Sequence, residues 1–457
     1  MTGRSLLASG IPELGRMLRA GEISPRELVE DSLALLDTSG RALNAVVTLT
    51  PDLALAQADA AARELAAGID RGPLHGIPFG AKDLLAVADY PTTWGAAPFA
   101  SQQFDEDASV IARLREAGAV LVGKLSMVEL AGGFNYNQPN AAHTGPGRNG
   151  RDPERWAGGS SSGSGAAVAA GLVPFAIGSE TWGSITNPAA LNGVTGFRPT
   201  YGMVSRAGAM ALSWTLDKIG PLAPSAGECL AVFAAIAGPD EADPTTLLAP
   251  AFTAEQGTRP FRFALSRSLT DGADPMIAAN FERTLEALRE IGTVEEIDFP
   301  IYPYREATGI IIDAEGASAF EDFILDGRQL ELTAPENRYG LLDGLVLPAV
   351  DYLRALRVRR VAGRAIQRAM AGFDAILSPT EWRVAPPIDA RFDEYYADLG
   401  EDLLGAAGNL CGLPGLSMPN GIAEAGLPSA VTFMGPAGGD AAVLAAGAAF
   451  QRLHANA

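Results

Sequence analysis

Segments with the pattern of buried strands alternate with helical segments along most of this 457-residue chain. Apolar strand patterns cover residues 119–124, 173–177 and 261–265, and helical patterns adjoin them at 109–117, 166–172 and 275–291. Such an alternation is typical of a sheet covered by helices on both faces. We therefore expect an α/β fold, in which any reactive side chains are held at the edges of a rigid sheet.

Changes in pattern divide the chain into four consecutive regions. The helical periodicity after Ser24-Pro25, with Glu27 placed to close a capping box, predicts an N-terminal helical layer. The regions are residues 1–70, the helical layer; 71–225, a core with the candidate motifs; 226–372, a continuation with an irregular lid near 300–345; and 373–457, strands and a helix that complete the core.

Composition excludes several classes of function. The formal net charge of −20 argues against tracking a nucleic-acid backbone. Two cysteines and three histidines are too few for a disulfide framework or a zinc site rich in these residues. The chain shows no pattern of a signal peptide or a membrane span, which predicts a cytoplasmic protein without membrane contact. We expect no metal or cofactor, and a monomer or homodimer.

A serine- and glycine-rich stretch, residues 157–165, contains the first candidate nucleophiles. Residues 159–163 satisfy the G-x-S-x-G pattern, which would make Ser161 the nucleophile of a hydrolase elbow. That fold needs a histidine further along the chain, and the only one is His454, close to the last residue. A base at a chain end is poorly held. The elbow is therefore the weaker interpretation, and another base is needed.

Lys82 is the alternative base. It follows the apolar segment Gly76–Ala81, so burial would lower the pKa of its amine and allow it to accept a proton near neutral pH. The competing interpretation is a surface lysine paired with Asp83. Local sequence alone favours the surface lysine, and only the rest of the chain reverses this.

Several segments combine with the serine-rich stretch in a specific order. They are residues 76–83 around Lys82, 123–133 (GKLSMVELAGG), 157–208 from Gly158-Gly159-Ser160-Ser161 through Ser184-Ile185 to Gly196–Gly202, and 413–419 (LPGLSMP). This arrangement resembles the amidase signature family over most of the chain. The resemblance implies a large single mixed β-sheet sandwiched by helices on both faces.

The resemblance also implies the roles of individual residues. Ser184 would be the nucleophile, Ser160 a bridging serine after a cis peptide bond, and Lys82 the base. The backbone N–H groups of Thr181, Trp182, Gly183 and Ser184 would form the oxyanion hole. Met127 and Trp182 would contact the substrate.

The remaining serines of the stretch have a supporting role in this interpretation. Ser161, Ser162 and Ser164 are predicted to cap a helix that begins near Gly165 and to bind loop amides.

Two positions depart from the family pattern. Trp182 stands where the family usually has glycine, and Thr186 stands where it often has arginine. The indole of Trp182 either forms a wall for an apolar or aromatic substrate or turns into the core. The missing arginine weakens the case for a charged substrate at that position.

The predicted function is an amidohydrolase that cleaves non-peptide C–N bonds of small or aryl amides through a Ser184 acyl-enzyme. The same chemistry extends to carbamates, ureas and esters. Two alternatives remain: an A-type subunit of glutamyl-tRNA amidotransferase, and an inactive binding protein on the same fold.

Overall fold

The computed structural model describes residues 6–247, 259–399 and 402–455. Its centre is one sheet of eleven strands. The strands are β1 (Val46–Leu49), β2 (Pro78–Lys82), β3 (Val120–Leu125), β4 (Phe175–Glu180), β5 (Thr195–Arg198), β6 (Lys218–Ala223), β7 (Phe261–Leu265), β8 (Gly292–Glu296), β9 (Ala375–Pro379), β10 (Gly415–Ile422) and β11 (Pro428–Met434). The predicted α/β fold with one large sheet is confirmed.

The sheet is mixed, as the resemblance implies. Its strand order is β1-β3-β2-β4-β6-β5-β10-β11-β9-β7-β8. Strand β2 lies parallel to both β3 and β4, and β7 lies parallel to both β8 and β9. The other neighbouring pairs are antiparallel. Strands β2, β3 and β4 are buried along their whole length, so side chains at their ends are held rigidly.

Fifteen α-helices occur in the described residues. They are α1 (Ile11–Ala20), α2 (Pro25–Leu35), α3 (Pro51–Ala66), α4 (Ser109–Glu116), α5 (Ser162–Ala169), α6 (Thr186–Asn192), α7 (Ala226–Ile236), α8 (Pro275–Leu288), α9 (Tyr304–Ala319), α10 (Glu321–Leu325), α11 (Leu342–Leu345), α12 (Ala349–Ala369), α13 (Phe392–Tyr395), α14 (Leu403–Leu410) and α15 (Asp440–Ala455). In this part of the chain, no helix is long and apolar enough to cross a membrane.

The N-terminal region is helical apart from one strand. Helix α2 begins with the predicted capping box: Ser24 Oγ accepts from Glu27 N, and the Glu27 carboxylate accepts from Ser24 N. Strand β1 corrects the prediction of a purely helical layer over residues 1–70. It pairs antiparallel with β3, and this tertiary pairing gives an extended conformation to a short segment between two helices.

The region near 300–345 is more regular than predicted. Residues 304–319 form α9, and its buried residues include Tyr304, Ala307, Thr308 and Ile311, spaced as one helical face. The sequence does not reveal this face, because two of its members are the small Ala307 and the polar Thr308. Ile310 and Ile312 lie off the face, so the apolar residues of the segment do not follow a helical period. Its apolar residues join the core cluster that also takes in α12 and α14, so α9 is part of the packed fold.

Candidate active site

Lys82 is the last residue of β2 and is fully buried. Its Nζ donates to Ser160 Oγ at 2.7 Å and to Ser179 Oγ at 3.0 Å. A third, longer bond of 3.3 Å reaches the carbonyl oxygen of Ser179. Strand β4 lies beside β2, so Ser179 is delivered to the lysine by the pairing of the two strands. The lysine is therefore held against a serine 78 residues away in sequence.

Burial lowers the pKa of Lys82 to about 7, although the negative charges of Asp217 and Glu180 oppose the change. Near neutral pH a substantial fraction of this amine is uncharged and can accept a proton from Ser160. The surface-pair alternative does not apply, because Asp83 is itself buried and pairs with Lys124 at 2.9 Å. The geometry and the pKa thus fit a general base.

Ser160 lies in the loop before α5 and is 1% exposed. The Gly159–Ser160 peptide bond is cis, as the resemblance predicts. A Cβ at Gly159 would approach within 2.9 Å of Trp156 and Val128, so only glycine fits there. Ser161 N donates to the carbonyl oxygen of Ser184 at 3.3 Å, which brings the two serine segments together.

The other serines of the stretch bind the sheet, which corrects the prediction that they cap a helix. Helix α5 begins at Ser162, and no side chain caps it. Ser161 Oγ donates to the carbonyl oxygen of Ser179, and Ser164 Oγ donates to that of Ile177. Both hydroxyls therefore attach the loop and α5 to β4, which also provides Ser179 to Lys82.

Ser184 ends a loop whose amides have the arrangement of an anion site. Within the described residues, no carbonyl or side chain accepts from the N–H groups of Trp182, Gly183 or Ser184. Gly183 has a φ of 82°, a left-handed conformation that favours glycine. Three consecutive free donors beside a serine hydroxyl can bind the oxyanion of an acyl-transfer intermediate. Ser184 itself is 7% exposed.

Hydrogen bonds to buried charged side chains stabilise this loop. Glu180 Oε2 accepts from the N–H groups of Ile185 and Thr186, directly after Ser184. Its Oε1 accepts from Arg198 at 2.7 Å. Burial opposes ionisation of Glu180, but Arg198, together with Lys218, holds its pKa down at about 2.

Asp217 and Lys218 hold the start of the same loop. Thr181 Oγ1 donates to Asp217 at 2.6 Å, and Lys218 Nζ donates to the carbonyl oxygens of Leu216 and, at 3.4 Å, Thr181. Burial lowers the pKa of Lys218 and raises that of Asp217. Sequence reasoning missed these residues and Glu180. The available signal was a set of charged residues within or beside apolar strand segments.

The two predicted substrate contacts differ in position. Trp182 is half-buried: it packs against the cluster around α9, and the guanidinium of Arg305 lies 5.6 Å from its ring centre. The ring thus contacts the core while part of it stays exposed. Met127 is 1% exposed and lies in the core beside Gly95. That position offers no support for a substrate contact by Met127.

A cavity of about 300 Å³ adjoins the lysine side of the site. Its lining includes Ala131, Ser179, Thr181, Met210 and Asp217. Lys82 does not line the cavity, but its Nζ contacts Ser179, which does. In the described residues, no group of three or more histidine, cysteine, aspartate or glutamate side chains could hold a metal ion.

The model of the Amidase family matches residues 27–444. The chain belongs to the Amidase family. It is 36% identical to the A-type subunit of glutamyl-tRNA(Gln) amidotransferase from Chloroflexus aurantiacus, over 95% of this chain and 94% of that protein. Amidase family enzymes act on C–N bonds, and this much of the predicted activity is shown.

Solved structures of Amidase family members share the fold. The peptide amidase of Stenotrophomonas maltophilia superposes with a TM-score of 0.85 and 32% identity, covering 98% of this chain and 97% of that one. A bacterial aryl acylamidase of the amidase signature family gives a TM-score of 0.84 and 25% identity, covering 97% and 96%. The relatives compared by sequence thus favour the amidotransferase alternative, whereas the structural neighbours include amidases.

Proposed function

We propose that this Amidase family chain cleaves the C–N bond of a small amide through an acyl-enzyme on Ser184. The observation that carries the proposal is the buried contact between Lys82 Nζ and Ser160 Oγ, 2.7 Å long, in a site that lowers the pKa of the lysine to about 7. A neutral amine in contact with a serine hydroxyl is a base without any histidine.

The proposed reaction starts with a proton relay. Neutral Lys82 takes the proton of Ser160, and Ser160 takes that of Ser184. Ser184 Oγ attacks the carbonyl carbon, and the negative oxygen accepts from the free N–H groups of Trp182, Gly183 and Ser184. The C–N bond then breaks, and the relay returns the proton to the departing nitrogen. Water cleaves the ester by the same relay and restores the Ser184 hydroxyl.

The proposal extends to the kind of substrate. The half-buried ring of Trp182 stands beside the free amides and provides an apolar wall for an acyl or leaving group. Thr186 leaves no guanidinium two residues after Ser184, and Glu180 instead accepts from the amide of Thr186. These features support small or aryl amides. Carbamates, ureas and esters are accessible through the same acyl-enzyme chemistry.

A transferase role is the second candidate. Its support is the 36% identity to the A-type chain of an amidotransferase over nearly the whole length of both proteins. Under this proposal the same Ser184 chemistry releases ammonia from an amide donor, and a partner protein uses the ammonia. The two candidates share the acyl-enzyme and differ in the partner.

The test is a panel of anilides, primary amides including glutamine, carbamates and ureas, with mass spectrometry of the protein during turnover. We expect an acyl adduct on Ser184 and its absence in Ser184→Ala, while the circular dichroism spectrum stays unchanged. Hydrolysis that persists in Ser184→Ala would refute the proposal. Glutaminase activity that appears only with added partner proteins would favour the transferase.

A further inference from the structure

Few residues of the segment that carries Ser184 are exposed. Among residues 181–190, all of them described, only Trp182, Gly183 and Asn187 are partly exposed, and the others are buried. The contacts of Asn187 therefore bear on what can bind beside this segment.

Asn187 connects the opening to an acidic side chain. Its Oδ1 accepts from Gly159 N at 2.9 Å, and its Nδ2 donates to Glu381 Oε1 at 2.8 Å. Glu381 comes from the end of β9, 194 residues away in sequence, and is partly exposed. The carboxyl group of Glu381 is thus joined through Asn187 to the segment that carries Ser184, with one of its oxygens held by Asn187.

Glu381 has no cationic partner among the described residues. The charged groups that act on it from α14 and β4 are Asp402 and Glu180, and both are acids. Arg383, two residues later, is held by Asp274 and Asp398. Burial, opposed by the Asn187 bond and assisted by the two acids, raises the pKa of Glu381 to about 8.

Asp402 differs from Glu381 because two cations, Arg198 and Arg305, act on it. Its carboxylate caps α14 by accepting from Gly405 N at 2.7 Å. The second oxygen of Glu381 has no hydrogen-bond donor in the described part of the chain. An unpaired oxygen of a partly exposed carboxyl group can bind a cationic ligand.

Aromatic residues adjoin the loop that Asn187 binds. Burial, assisted by the charge of Glu381, raises the pKa values of Tyr136 and Tyr396. A Cβ at Gly159 would lie 2.8 Å from Tyr136 Oη, so this ring stands over the peptide before Ser160. Phe392 links the two tyrosines, at 5.8 Å from Tyr136 and 6.2 Å from Tyr396.

Two polar atoms of the aromatic group lack partners. Trp156 is 4% exposed, packs edge-on against Tyr136 at 6.1 Å, and its Nε1 has no hydrogen-bond partner in the described residues. The same holds for Tyr396 Oη. Aromatic faces combined with a carboxylate are the typical environment for an ammonium group.

We propose that Glu381 and the rings of Tyr136 and Tyr396 form a subsite for a cationic group, an alkylammonium or quaternary ammonium, carried by the amide substrate. The subsite rests on the proposed amide hydrolysis at Ser184 and adds the class of substrate. The ammonium group occupies the free side of Glu381, while the amide carbonyl faces Ser184.

The test compares two anilides of equal shape. One carries a trimethylammoniobutyryl group, and the other is its isostere with a tert-butyl group in place of the trimethylammonium. We expect wild-type kcat/KM to favour the cation by about tenfold. The preference should fall as pH drops below about 8, because protonation of Glu381 removes its charge while the quaternary cation keeps its own.

Two variants distinguish the effect of the Glu381 charge from that of the net negative charge of the protein. Glu381→Gln keeps an acceptor for Asn187 and removes the charge, and we expect the preference to fall to about one. Asp398→Asn removes one negative charge from an exposed carboxylate that pairs with Arg383 and should keep the preference. A wild-type ratio near one, or an unchanged ratio in Glu381→Gln, would overturn the subsite.

Calorimetry on Ser184→Ala distinguishes failure of the subsite from failure of the proposed function. In this background, preferential binding of the cationic anilide that is lost with Glu381→Gln supports the subsite even if neither anilide is hydrolysed by the wild type. Hydrolysis of both anilides with no binding preference supports the function and refutes the subsite.

Discussion

Lys82 Nζ lies 2.7 Å from Ser160 Oγ in a fully buried position, and the same Nζ contacts Ser179 on the neighbouring strand. The contact joins β2 to the loop before α5. In the proposed mechanism, the protonation state of this amine decides whether Ser160 can pass on a proton.

The pH dependence of activity should follow Lys82. With a neutral amide as substrate, we expect kcat/KM to rise about tenfold per pH unit below pH about 7 and to level off above it, because only the neutral amine accepts a proton. Steady-state kinetics from pH about 5.5 to 9 measure this. Lys82→Arg, which stays charged, should lack activity throughout. A flat profile would contradict the role of Lys82 as base.

The free energy of unfolding should also depend on pH through the ionisation of Lys82. The pKa of Lys82 falls from 10.5 to about 7 on folding, so between these values the unfolded chain binds a proton that the folded chain does not. Stability therefore rises with pH in this window, by up to about 1.4 kcal/mol per unit from this group.

Lys82→Met isolates that contribution, because Lys218 titrates in both proteins and cancels. Urea unfolding between pH about 7 and 9.5 should show the wild type gaining stability relative to Lys82→Met as the pH rises. A difference between the two proteins that does not change with pH would show that Lys82 remains charged in the fold.

Glu180→Ala should strongly destabilise the protein. The substitution leaves Arg198, 2% exposed, without its anionic partner and also frees the amides of Ile185 and Thr186. Breaking a buried pair in this way costs about 3–5 kcal/mol. The matched control is Glu295→Ala, which breaks an exposed pair with Arg262 and should cost less than about 1 kcal/mol. Similar losses in both variants would contradict the structural role of Glu180.

Trp182→Ala tests the wall at the oxyanion loop. The backbone N–H of residue 182 remains, but the half-buried ring that packs against the α9 cluster is lost. We expect a loss of stability of about 1–2 kcal/mol and a rise in KM for aryl amides of about tenfold relative to that for short aliphatic amides. Equal changes in KM for both substrate types would argue that the ring serves only the core.

The sequence was sufficient to predict the α/β fold and to nominate Lys82, Ser160 and Ser184, because their motifs are local. It was not sufficient for the charged residues around them. Glu180 is bound to Arg198 from another strand, and Glu381 meets Asn187 across 194 residues. Such partners are set by strand order, which local patterns do not contain.

The helix α9 shows a second kind of limit. Its buried face is spaced correctly, but it includes a tyrosine, an alanine and a threonine, and partly buried isoleucines flank it. Periodicity is measured by hydrophobicity, so a face made of small and polar residues is hidden until its neighbours, α12 and α14, are known. The same holds for β1, whose extended form depends on β3.

The parallel pairing of β2 with β4 aligns Gly80 with Ala176 and Ala81 with Ile177, and the next residue along β2 is Lys82. Because side chains alternate between the faces of a sheet, a slip of one residue in this pairing would turn the amine to the opposite face. Enzyme activity therefore reports on strand register. During refolding, regain of catalysis should mark the moment at which β2 and β4 reach native alignment, later than the recovery of bulk helical content.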